Sequence, residues 1–279
     1  MASPLVYPGQ RVQAVVRAEK ANTAAVNARL CLKVYGPDDR LVTADGPSVE
    51  LQPGQERTID WVIPDSWDSL PIQQLGLVLS VPEGGRRVDG TVWLDRLGWK
   101  GPPRLTLKRP EAKRLGQFWH RAWVNGVTTF QTELSGASFC IAQNSGEGII
   151  IYGTRDWTDY RVAVPRLVVN LGSSAGVAVR MQGLNRYFSV MFLSGPRRIA
   201  LVKARDEQRT ELASALFDWK LDMPYEVSVS VHGKVITGCV SGDGPGIVLE
   251  AVDEEYAGGG IGLVVTDGSV SANQSMSGR

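Results

Sequence analysis

Apolar residues along the chain come in short runs that alternate with polar ones or are rich in β-branched types, and Pro or Gly closes nearly every run. In the first half, residues 11–18, 27–35, 57–63, 75–81 and 91–99 read as strands, bounded by turns such as Tyr7-Pro8-Gly9, Tyr35-Gly36-Pro37 and Gln52-Pro53-Gly54. In the second half the same reading covers residues 148–152, 159–170, 176–182, 187–193, 199–203, 225–231, 235–240 and 260–265. No helical pattern of roughly 10–15 residues separates these runs, so the spacing predicts antiparallel sandwiches and not βαβ units. Within 176–182, alternation sets Val177, Val179 and Met181 on one face and Ala178, Arg180 and Gln182 on the other, which predicts a core face and a wet face. Residues 205–216 place Leu212 and Leu216 at helical spacing, but their position between strands predicts a turn and a short strand.

Punctuation differs between the halves. Eleven of the 15 prolines lie at or before Pro110, whereas about two-thirds of the 31 glycines follow it. The charged run Lys108-Arg109-Pro110-Glu111-Ala112-Lys113-Arg114 lacks apolar periodicity and reads as an exposed basic connector. The expected organisation is therefore all-β: two antiparallel β-sandwich domains in tandem, at 1–106 and 126–279, joined by a linker at 107–125.

Composition narrows the chemistry. With 30 Lys+Arg against 29 Asp+Glu, the net charge of +1 lacks the footprint of a nucleic-acid or anionic-membrane partner. Cys31, Cys140 and Cys239 form no C-x-x-C pair, and His120 and His232 are too few for a multi-His metal centre. No apolar run approaches the roughly 18–20 residues that span a bilayer, and the first ten residues carry no basic and apolar leader pattern. The expectation is a soluble chain, extracellular or periplasmic if a longer parent protein is exported.

Two series of motifs resemble known folds. Leu51-Gln52-Pro53-Gly54, Thr58-Ile59-Asp60-Trp61-Val62-Ile63-Pro64 and Gly90-Thr91-Val92-Trp93-Leu94-Asp95-Arg96-Leu97-Gly98-Trp99 resemble the later strands of galactose-binding-like jelly rolls, over roughly residues 3–105. This sequence enters almost directly at Tyr7-Pro8-Gly9-Gln10, which implies a reduced sheet or a piece of a longer protein. Over roughly residues 126–270, the following are similar to the concanavalin A-like, laminin-G-like sandwich: Gly148-Ile149-Ile150-Ile151-Tyr152-Gly153, Trp157-Thr158-Asp159-Tyr160-Arg161-Val162, Gly176-Val177-Ala178-Val179-Arg180, Trp219, Met223-Pro224-Tyr225-Glu226-Val227, His232-Gly233-Lys234-Val235-Ile236 and Gly259-Gly260-Ile261-Gly262-Leu263. The tandem resembles the non-catalytic C-terminal region of some bacterial ADP-ribosylglycohydrolase-like proteins and of glycosidases. That resemblance implies a carbohydrate-binding accessory role, an oligo- or polysaccharide partner, an upstream catalytic domain in the parent protein, and structural calcium, with Asp95 and Glu19 as the first residues to examine.

Sugar binding needs flat aromatic surfaces for pyranose faces and polar groups beside them for hydroxyls. Trp157, Asp159, Tyr160, Arg180, Gln182, Asn185, Arg186 and Tyr187 supply that mixture in the second half, and Trp67 supplies an aromatic flanked by acids in the first. Trp61, Trp93 and Trp99 lie in strands and are expected in the core. The glycine clusters 242–246 and 258–262 are expected to be turns, because neither follows a strand and opens a helix as a phosphate loop does. The acidic run from Glu250 through Asp253-Glu254-Glu255 lacks the Glu-x-Asp-x-x-Glu spacing of sandwich-fold hydrolases and reads as a solvated turn. Two rivals stay open: a glycoside hydrolase or hydrolase fragment, favoured by facing carboxylates such as Glu226 with Glu147 or Asp159, and a protein-interaction module.

Overall fold

A computed structural model describes residues 5–65, 70–82, 89–109, 116–131 and 139–272, and residues 276–278 by backbone alone. It is almost entirely antiparallel β-structure, as the alternation predicts, and it divides into two compact units: Met1–Pro103 with Glu111–Trp119, and Arg104–Pro110 with His120–Arg279.

The first unit contains β1 (Arg11–Ala18), β2 (Val26–Tyr35), β3 (Leu41–Leu51), β4 (Glu56–Val62), β5 (Ile72–Ser80) and β6 (Val92–Lys100). They form two three-stranded sheets, ordered β4-β1-β6 and β3-β2-β5. Alternation drives the packing: Val12, Ala14, Val16 and Ala18 of β1 and Ala28, Leu30, Leu32 and Val34 of β2 are buried, joined by Leu51 and Ile59. Strand β3 escapes the sequence reading because almost all of it is exposed, so it shows no apolar period; pairing with β2 holds it in place. Gly46 in β3 is required by Trp61, since a Cβ there would lie 2.7 Å from the indole.

The expected linker is partly built into structure. Residues Leu105–Leu107 form β7, and Leu105 and Leu107 are buried. Further on, the Asp39 carboxylate accepts the Gln117 and Phe118 amides at 2.7 and 3.0 Å, and Phe118 stacks on Tyr35 at 4.2 Å between centroids. Residues 110–115 of the basic run lie outside the described residues.

After β7 the chain forms a four-residue helix, α1 (Phe118–Arg121), and then β8 (Val124–Gly126), β9 (Thr129–Gln131), β10 (Phe139–Tyr152), β11 (Tyr160–Leu171), β12 (Ser174–Gly183) and β13 (Arg186–Leu193). There follow β14 (Arg198–Arg205), β15 (Gln208–Leu216), β16 (Pro224–His232), β17 (Val235–Ser241), β18 (Ile247–Val252), β19 (Gly260–Ala272) and β20 (Met276–Gly278). Residues 205–216 are the expected turn and strand. Gly260 and Gly262, by contrast, are strand and not turn, because a Cβ at Gly262 would stand 2.0 Å from the Ile150 carbonyl oxygen and only glycine permits that approach.

The long pair β10 and β19 runs through both layers of the second unit. On one side of a shared break it joins β15-β14-β13-β12 and β8; on the other it joins β18-β17-β16-β11 and β9, with β7 and β20 extending from β11. At the break, Gly146 (φ 72°) donates its amide to Asp267 at 2.7 Å, and Asp267 is itself left-handed (φ 48°). Between the layers lie Val177, Val179, Phe188, Val190, Phe192, Leu201, Leu263 and Val265, all buried.

The wet face predicted for residues 176–182 does not exist. The outer face of this layer carries its own buried cluster, Ile149, Ile151, Ala178, Met181, Tyr187, Met191, Ala200, Val202, Ala204 and Val264. Curvature is the cause. Arg209 on β15 and Glu147 on β10 sit five strands apart in sheet order, about 24 Å in a flat sheet, yet Arg209 Nε lies 3.1 Å from Glu147 Oε2. The sheet curls until side chains five strands apart meet, and its concave side is filled by its own side chains.

The facing layer leaves no room for a side chain at Gly238 of β17, where a Cβ would stand 2.4 Å from Val190 Cγ2. Gly238→Ala is expected to destabilise the second unit by about 1–3 kcal/mol through overpacking and to leave the first unit unchanged, as read by calorimetric unfolding of the wild type and variant.

Candidate ligand-binding surface

The residues expected to grip a ligand in the second unit are gathered, but inward. Trp157, Tyr160, Arg180 and Tyr187 are 1–2% exposed, so no ring offers a face to a sugar and the guanidinium does not reach solvent. Tyr160 explains the knot: its hydroxyl donates to the Gly259 carbonyl at 2.8 Å and accepts the Arg180 amide at 2.6 Å. The Arg180 side chain donates to the Tyr256 carbonyl at 3.0 Å and the Thr158 carbonyl at 3.3 Å, and it approaches Asp159 at 3.4 Å. Its left-handed backbone (φ 48°) marks an irregularity in β12 that turns the side chain toward these carbonyls. Asp159 also accepts the Gly233 amide at 2.8 Å, and Gln182 donates to the Gly258 carbonyl at 3.2 Å.

Asn185 and Arg186 lie apart from that knot, at the β12–β13 turn, where Arg186 pairs with Asp206 at 2.8 Å. Tyr187 donates to Glu147 at 2.7 Å beside Arg209. The acidic run is anchored and not simply solvated: Lys203 Nζ lies 2.5 Å from Asp253 and 3.1 Å from Glu255, and Arg205 lies 3.0 Å from Glu255. Glu226 is exposed on β16. Trp67 lies outside the described residues.

Exposed aromatic surface appears instead where the sequence predicted core, on edge strand β6. Trp93 is 47% and Trp99 36% exposed, because three-stranded sheets leave β6 without an outer neighbour among the described residues. On the outer face of β4-β1-β6, register sets Arg17 beside Trp93, Val15 beside Arg96, Gln13 beside Gly98 and Arg11 beside Lys100. Gly98 has no side chain, and a Cβ there would meet nothing within 4 Å. The gap is the floor of a cavity of about 480 Å³ lined by Arg11, Gln13, Arg96, Gly98, Trp99 and Lys100.

Its polar groups are held in place. Arg96 donates to Gln13 at 2.7 Å, Gln13 to Asp60 at 3.3 Å, and Arg11 to Asp60 at 3.0 Å, a ladder across all three strands. The Arg11 hydrogen bond holds the Asp60 carboxyl below its usual range. The Trp99 indole is fixed by donating to the Leu5 carbonyl at 3.0 Å.

Glu19 and Asp95, the expected calcium ligands, belong to the same surface in another capacity. Glu19 accepts the Trp93 indole N–H at 3.1 Å, Asp95 pairs with Arg17 at 3.1 Å, and the Arg17 guanidinium lies 5.9 Å from the Trp93 ring centroid. They orient a ring and a cation. Among the described residues, no three His, Cys, Asp or Glu side chains gather as a metal-ligating group.

No protein-family model and no curated protein sequence matches this chain. Solved structures of similar architecture include the carbohydrate-binding module CBM66 from Bacillus subtilis, at 12% identity and TM-score 0.48, over 55% of this chain and 93% of that one. A legume lectin-like domain from Entamoeba histolytica is similar at 12% identity and TM-score 0.42, over 60% and 94% of the two chains. The exoplasmic/lumenal domain of VIP36, in a Ca2+/Man-bound form, matches at 14% identity and TM-score 0.43, over 57% and 82%. These neighbours are lectin-like and carbohydrate-binding β-sandwiches; what this chain binds has to be read from its own residues. No helix among the described residues is long and apolar enough to cross a membrane.

Tyr160→Phe tests the structural account of the knot. It strands the Arg180 amide and the Gly259 carbonyl, and is expected to cost about 1–3 kcal/mol in denaturant unfolding. Burial raises the Tyr160 phenol above its ordinary value near 10. Its contribution is therefore whole below about pH 10 and is lost as pH rises beyond that; Tyr160→Phe is expected to flatten this alkaline limb of the stability profile.

Proposed function

We propose that the chain is a glycan-binding module whose ligand lies over Gly98 in the first unit. The observation that carries this reading is the side-chain-free notch over Gly98, walled by hydrogen-bonding groups, on a sheet face that also carries the exposed Trp93 ring. A pyranose presents an apolar face and a rim of hydroxyls, which match an indole and a set of amide and guanidinium donors. Because Gln13 and Arg96 already hold each other, less side-chain freedom is lost on binding. Trp93 lies on the same face about 20 Å along β6 from Lys100 by strand rise, so an extended saccharide has that ring to reach.

Several carboxyls serve as hydrogen-bond partners of neighbouring cations or of an indole. Glu19, Asp60, Asp206 and Glu211 are all lowered, each chiefly by a hydrogen bond from an indole or a guanidinium. In a longer parent protein, such a module would keep an attached catalytic domain on its polysaccharide.

A glycan array and pull-downs on insoluble polysaccharides test the proposal. Gln13→Ala is expected to weaken binding about tenfold or more, and Gly98→Leu to abolish it by filling the notch while the unfolding temperature is maintained. Binding by Gly98→Leu at wild-type affinity would remove this site, and no saccharide binding by the wild type would remove the function.

A further inference from the structure

The charges around the notch say more about the ligand. Arg96, Gly98 and Lys100 share one face of β6, which puts the two cationic residues about 13 Å apart along the strand with the glycine between them. Arg11 stands opposite Lys100. Only Arg11 is ion-paired, to Asp60 at 3.0 Å, and Lys100 acts on the same carboxyl from beyond ion-pair distance. Arg96 is held by the neutral amide oxygen of Gln13, and neither it nor Lys100 has a carboxylate within ion-pair distance among the described residues. No acid lines the cavity.

Elsewhere on this face each arginine has a partner: Arg17 has Asp95, and Arg11 has Asp60. The two cations without an ion pair therefore flank the one position on β6 where the side chain is missing. A neutral sugar would leave their charges facing its hydroxyls, whereas a carboxylate or sulfate on the ring would complete them with charge-assisted hydrogen bonds.

Resting on the glycan-binding reading above, we propose that the notch over Gly98 selects acidic saccharides, with the anionic group of the sugar held between Arg96 and Lys100 and its ring over the Gly98 floor. A bare polyanion would use the cations without the glycine floor. The short patch and the chain's net charge of +1 also differ from the long basic stripe of a nucleic-acid site.

An array carrying uronic-acid, sialylated and sulfated glycans beside their neutral counterparts tests this, with titrations of oligogalacturonate, its methyl ester and inorganic polyphosphate. Acidic glycans are expected to bind at least tenfold more tightly than their neutral forms. Arg96→Gln and Lys100→Gln are each expected to remove most of that preference and much of its weakening by salt. Gly98→Leu, whose Cβ meets nothing within 4 Å, is expected to abolish binding with unfolding unchanged. Equal binding of an acid and its ester would overturn the acidic preference and leave a glycan-binding module. Polyphosphate binding that matches the uronate and survives Gly98→Leu would overturn it in favour of unspecific charge attraction. Failure of the whole array, acidic and neutral, would remove both readings.

Discussion

Every β-strand sends side chains to two faces, and whether the second face is covered decides what each part of this molecule has free. In the second unit, the layer built from β15 to β10 buries one face against its partner layer and curls over the other until Arg209 reaches Glu147. Rings and cations on either face are then structural by position. In the first unit, three-stranded sheets are too narrow to close on themselves, and the outer face of β4-β1-β6 is left to solvent with Trp93 on its edge strand.

Glycine has opposite effects in the two places. At Gly262 and Gly238 the missing Cβ lets backbone or a facing side chain come closer than any other residue permits, which tightens the second unit. At Gly98 nothing approaches, so the same absence leaves space that solvent or a ligand enters. The difference lies in the number of neighbouring strands and not in the residue.

Charge shows a similar division between whole and part. The chain is almost neutral, and several exposed cations are matched locally, as in Arg186 with Asp206 and Arg17 with Asp95. Over distances beyond a Debye length the surface therefore projects little field. Arg96 and Lys100 have no ion-pair partner among the described residues at short range, where charge-assisted hydrogen bonds operate.

The sequence alone determined the class of fold and most of the strands, because alternation with period two and Pro-Gly punctuation are local properties; β1 and β11 lie within a residue of their expected ends. It did not reveal β3, whose polar edge carries no period, or the first part of β10, which bends through a break. It also named a set of sugar-binding residue types without revealing which of them are exposed. Trp157, Tyr160 and Arg180 look like a ligand surface and are a buried knot, while Trp93 and Trp99 look like core and are exposed. Residue type and alternation fix which side of a strand a group takes, but only the packing of distant strands decides whether that side is covered, and here that depends on sheet curvature and on which strand is the edge.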